Sequence, residues 1–206
     1  MAINRNFFFD HARLGLFGGK MSSSQVSGIT LILDKWEHEM PKADDRWLAY
    51  MFGTAHHETG RTMQPVRETF ASTDAQAIKI LDKAFAAGKL PWVKERYWQL
   101  DPQGISWLGR GFVQLTHKAN YLKMAALTDP NLATNPSLAM NTATAADIMF
   151  KGMDKGSFTG AKLGDFFSGA KEKWREARRI INGLERADLV AAYGKQYYAC
   201  LSYTTG

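Results

Sequence analysis

Two glutamates, Glu58 and Glu68, stand on either side of a break at Gly60 and Pro65, so they belong to different elements. Hydrolysis of a glycosidic bond needs such a pair: one carboxyl protonates the leaving oxygen and the other activates a water. An inverting pair also leaves room between the two for that water. Trp47, Leu48, Met51, Phe52 and Ala55 recur at helical spacing ahead of Glu58, and Gly60 is a natural stop, which predicts Glu58 at a helix C-terminus. There the negative end of the helix dipole and an apolar face both disfavour an ionised carboxyl, as a general acid requires. Glu68 has Arg67 beside it and Arg61 a little earlier. A neighbouring cation favours the ionised form that a base needs, although the same residues also allow an ordinary ion pair.

Other residues have the chemistry to hold a sugar. Gly109-Arg110-Gly111 permits close approach of backbone to a ligand, with Arg110 as a polar contact. Alternation through Phe112-Val113-Gln114-Leu115-Thr116 predicts a strand with Gln114 and Thr116 on the face that carries Phe112. An amide and a hydroxyl so placed can grip a sugar and a water; the plainer alternative is an edge strand with a polar outer face. Trp107 and Tyr121 are candidate stacking platforms or core aromatics, and Asn182 before Gly183 is a sugar contact or a helix C-cap. His56 or His57 is expected to hydrogen-bond in the core or support Glu58. A zinc-protease helix needs a second histidine four residues after the first, and Arg61 occupies that place, so no metal or other cofactor is expected.

In order along the chain, His57-Glu58-Thr59-Gly60, Glu68, Gly109 to Thr116, Asn120-Tyr121 and Ile180-Ile181-Asn182-Gly183 resemble glycoside hydrolase family 19, the lysozyme-like chitinases and phage endolysins. Ser24 to Ile29, Asn135 to Ala139, Phe158 to Leu163 and Ala177 to Gly183 extend the resemblance to its phage branch over nearly the whole chain. The resemblance implies that Glu58 is the acid and Glu68 the base, with Thr116 holding the attacking water. It places Gln114 and Asn182 against the sugars, and implies inverting cleavage of β-1,4 bonds in peptidoglycan. It also implies a holin that releases the enzyme from the host cytoplasm. Family chitinases usually follow the acid with Thr-Gly-Gly and carry disulfide cysteines; here Arg61 replaces the second glycine and Cys200 is the single cysteine.

The elements that must position these residues are mostly helical. Ser22 to Ser24 can cap a helix with Val26, Ile29, Leu33, Trp36 and Met40 on one face, ended by Pro41. Asp44 or Asp45 can cap the helix that ends at Glu58. Thr73-Asp74 opens another with Ala77, Ile78, Leu81, Ala84 and Phe85 inward, closed by Gly88. Pro91, Pro102 and the glycines at 104, 109 and 111 then break the pattern and predict a small hairpin or irregular lobe. Helical spacing returns from His117 toward Leu127, over Asn141 to Lys151, over about Glu172 to Ile181, and over Ala187 to Tyr203. The expected fold is all-α, α+β at most: one lysozyme-like domain, monomeric, with no separate wall-binding module.

With 206 residues, 45% of them hydrophobic and 12% aromatic, the chain can bury a substantial core. No apolar run is long enough to cross a bilayer, and Met1 to Lys20 lacks the apolar middle of a secretory signal, so a cytoplasmic product is expected. The net charge of +6 predicts attraction to polyanions, and wall polymer, nucleic acid and anionic lipid all qualify. Lys171, Lys173 and Arg175 lie in a basic run expected on a helix, either as a weak contact to an anionic envelope or as a solvated face. A non-catalytic basic binding protein would explain the charge but leave the ordered glutamates without a role.

Overall fold

The computed structural model describes residues 2–204. In chain order its main elements are α1 (Arg5–Leu16), α2 (Ser23–Glu39), α3 (Asp45–Glu58), β1 (Val66–Arg67), α4 (Asp74–Ala86), β2 (Arg110–Gly111), α5 (Lys118–Leu127), α6 (Thr142–Lys155), β3 (Phe167–Ser168), β4 (Lys171–Glu172) and α7 (Ala187–Ala199). Short 3₁₀ turns lie between them, among them Glu68–Phe70 and Glu176–Ile180. The residues form two compact units. The first takes the chain up to Gln64 and from Met149 onward, and the second runs from Pro65 to Ile148.

In the first unit the expected caps are present. Ser22 and Gln25 form a reciprocal capping box at the start of α2, and the Asp44 side chain accepts from the Arg46 N–H at the start of α3. α2 buries Ile29, Leu33 and Trp36 as its spacing predicts, whereas Val26 is exposed. α3 packs on α7 so closely that an added Cβ on Gly53 would stand 2.7 Å from the backbone nitrogen of Gly194. Phe52 and Tyr197 stack beside this crossing, with ring centroids 4.9 Å apart, and Phe8 of α1 joins them. The helical spacing of α1 is masked by its run of three phenylalanines, and it does not figure among the predicted helices.

The predicted helix over Glu172 to Ile181 is corrected. The chain instead forms an antiparallel hairpin, with Phe167 opposite Glu172 and Ser168 opposite Lys171, and then the 3₁₀ turn Glu176–Ile180. Trp174 explains the departure. Its ring is buried against Phe167 and Tyr50, and its indole donates to Glu172, which a helix through this segment would not allow. α7 also stops at Ala199, short of Tyr203, whose backbone bridges to Ile3.

The second unit has a small core of Ala71, Ala77, Leu81, Trp98 and Leu108, with Ile78 and Phe85 packed against it. The inward face of α4 is thus the one its spacing predicts. Thr73 caps α4, and β1 pairs antiparallel with β2, with Val66 opposite Gly111 and Arg67 opposite Arg110. Between α4 and α5 the chain makes with itself only single antiparallel bridges, Leu100 opposite Ser106 and Arg110 opposite Leu115, so the predicted hairpin or irregular lobe takes the irregular form.

Candidate active-site residues

Glu58 is the last residue of α3, where the sequence places it. Its surroundings differ from the apolar face expected there. The Arg178 guanidinium donates to Glu58 Oε1 at 2.6 Å, and the two side chains are 5% and 15% exposed. Arg178 is fixed in turn by its Nε, which donates to the Glu185 carbonyl. No local signal marks Arg178 in the sequence, because the partnership joins residues far apart in the chain. Past Glu58 the backbone turns left-handed at both Gly60 (φ 56°) and Arg61 (φ 69°). Arg61 therefore takes, with a side chain, a conformation that favours glycine.

Of the two histidines, His56 takes the expected place in the core. His56 is wholly buried, and its Nδ1 lies 2.9 Å from the Tyr197 hydroxyl. The Tyr197 hydroxyl also reaches Met63 Sδ at 3.7 Å. His56 Nε2 has no hydrogen-bond partner among the described residues. Burial, followed by the charge of Arg61, lowers the His56 pKa to about 4. His57 is also held below its ordinary value, chiefly by burial, while Glu58 pulls the other way.

Glu68 lies in the second unit, in the 3₁₀ turn after β1. Tyr97 donates to Oε1 at 2.6 Å and the Gly109 N–H donates to Oε2 at 2.8 Å. The ordinary ion pair to Arg67, the plainer alternative for Glu68, is not formed, and Arg67 does not serve as its neighbouring cation, because Arg67 Nε reaches Asp74 at 2.7 Å. Burial works to raise the Asp74 carboxyl, but hydrogen bonds from Arg110 and Arg67 outweigh it and hold the group below the usual range. The sequence gives no cue to Tyr97, which lies far from Glu68 along the chain.

Gln114 and Thr116 do sit near Glu68. A Cβ built on Gly109 would lie 3.0 Å from Gln114 Oε1, 3.2 Å from Thr116 Cγ2 and 3.3 Å from Glu68 Cβ, so these side chains ring the Gly109 backbone. Glycine at 109 is what lets them close in. The predicted alternating strand, however, is corrected. Arg110 and Leu115 pair across a tight turn in which Gln114 has φ 50°, and the Gln114 amide donates to the Val66 carbonyl at 2.8 Å.

Three expected sugar contacts are also corrected. Arg110 is 1% exposed, and its two terminal nitrogens donate to Asp74, the Tyr121 hydroxyl and the carbonyls of Ser106 and Leu108, while its buried Nε has no partner among the described residues. Tyr121 is fully buried, and Trp107 is 4% exposed with its indole donating to Asp101. All three build the wall behind Gly109 and present no face to a ligand. Asn182 is exposed in the first unit, and its side chain accepts from the Gly183 N–H at 2.8 Å. Cys200 is buried, and burial pushes its thiol up to about 11, as befits a structural residue.

The mostly helical chain has the lysozyme-like fold of family 19 chitinases. Chitinase C from Streptomyces griseus HUT6037 is similar over 96% of this chain and 91% of its own, with a TM-score of 0.57 and 17% identity. A glutamate-to-glutamine mutant of chitinase C is similar over 99% of this chain and 94% of its own, with a TM-score of 0.56 and 16% identity. No family model and no curated protein matches the sequence. At these identities the likeness is one of fold.

Proposed function

We propose that this protein is a glycosidase that cleaves β-1,4 bonds of bacterial peptidoglycan with inversion, acting as a phage endolysin. Glu58 donates a proton to the leaving oxygen from Oε2, while Oε1 accepts from Arg178. Glu68 deprotonates the attacking water, Thr116 holds that water, and Gln114 and Asn182 contact the sugars. Water enters in one displacement, so no covalent glycosyl intermediate forms. The enzyme accumulates as a monomer in the host cytoplasm and meets the wall after a holin opens the membrane.

The observation that carries this reading is the setting of Glu68. Both its oxygens accept hydrogen bonds, and an amide and a hydroxyl stand beside it around one glycine. The order of glutamates and Gly-Arg-Gly along the chain supports the same assignment. Loss of turbidity of purified peptidoglycan is the direct test, and mass spectrometry of the reducing-end sugar of the products identifies which β-1,4 linkage is cut. An intact wall after incubation at micromolar enzyme would refute the reading. Chitin is the second substrate, favoured by the fold likeness to chitinase C; release of N-acetylglucosamine oligomers from chitin with no action on peptidoglycan would establish it instead.

A further inference from the structure

Tyr97 joins the Glu68 carboxylate from a segment with no chemical motif of its own. An ionised carboxylate offers about four lone-pair positions and no donor. With Tyr97 on Oε1 and the Gly109 N–H on Oε2, each oxygen keeps one free position. The Tyr97 ring is held in turn. His117 lies against it with ring centroids 4.2 Å apart, and Trp98 meets it edge-on at 5.1 Å. Trp98 is fully buried, and its indole donates to Asp82 at 2.9 Å. The ring makes these packing contacts, and the hydroxyl alone reaches Glu68.

We propose that Tyr97 is a positioning residue for the reaction at Glu68. Its hydroxyl fixes the rotation of the carboxylate and so keeps one free lone pair in the orientation that takes the proton from water. The inference rests on the reading of Glu68 as the base. Burial and the adjacent Glu68 charge keep the phenol protonated, which suits a permanent donor.

Tyr97→Phe removes the hydrogen bond and leaves the ring contacts. On a soluble peptidoglycan glycan, kcat is expected to fall about tenfold with KM within about twofold, the size of one hydrogen bond to a charged group. The acid limb of the kcat profile moves to higher pH, because a donor that favours the charged carboxylate is gone. 3-Fluorotyrosine at position 97 keeps the shape and strengthens the donor, and is expected to move that limb to lower pH. It serves equally if Tyr97→Phe does not fold. A limb unmoved in the folded variants, with Glu68→Gln inactive, would overturn the role of Tyr97 and leave the base in place. Parental activity in Glu68→Gln would overturn both.

Discussion

Arg178 changes what substitutions at Glu58 are expected to do. Glu58→Gln keeps an oxygen for Arg178 and removes the transferable proton, so the fold persists while wall hydrolysis falls about 10²–10⁴-fold. A rate within twofold of the parent would remove Glu58 from the acid role. Arg178→Met instead leaves the mostly buried Glu58 carboxyl without its donor, and is expected to destabilise the protein by about 1–3 kcal/mol, as read by urea unfolding. His56 makes a separate prediction about acid. Its folded pKa is about 4 against roughly 6.5 unfolded, so the unfolded chain takes up the proton first. The stability from keeping His56 neutral is fully present above about pH 6.5 and is lost as pH falls toward 4, in total on the order of 3 kcal/mol. His56→Gln should therefore show a shallower fall over that window than the parent in urea titrations. Equal slopes would mean that His56 is not the group responsible.

At the scale of elements, the crossing of α3 and α7 depends on two glycines meeting. An added Cβ on Gly53 would stand 2.7 Å from the Gly194 nitrogen and 3.0 Å from its Cα, and backbone cannot rotate aside. Gly53→Ala is expected to cost about 1–3 kcal/mol from overpacking, in spite of the better helix propensity of alanine. Gly15, in α1, is the contrast: nothing lies within 4 Å of its added Cβ. Gly15→Ala should stabilise by about 0.5–1 kcal/mol. Thermal unfolding of the two variants decides the matter, and a stabilised Gly53→Ala would contradict the packing described for α3 and α7.

For the whole molecule, a net charge of +6 implies that action on an acidic wall weakens as salt rises, because exposed charges are screened over about 10 Å at 0.1 M. Lys171 lies in β4, and Lys171, Lys173 and Arg175 are all exposed, although Arg175 also pairs with Asp188 at 3.0 Å. Neutralising the three together is expected to flatten the salt dependence on whole wall and leave cleavage of a short soluble glycan unchanged. An unaltered salt profile would return them to the role of a solvated face.

The amino-acid order alone determined the helices whose caps and apolar spacing agree, as at Ser22, Asp44 and Thr73, and with them the place of Glu58 at the end of α3. Capping and periodicity are local, satisfied within one or two turns, so they can be read from neighbouring letters. It also picked out Glu68, Gln114 and Thr116, which the fold gathers at Gly109. Tertiary structure decided what each polar group pairs with. Arg67 turns to Asp74, Arg178 takes Glu58, Tyr97 takes Glu68, and Arg110, Trp107 and Tyr121 are drawn into the core. It also decided that Phe167 to Ile180 is a hairpin followed by a 3₁₀ turn, because burying Trp174 outweighs the helical spacing of its neighbours. Such choices depend on which distant segments supply a partner to a buried charge or ring, and no spacing along a single stretch encodes that.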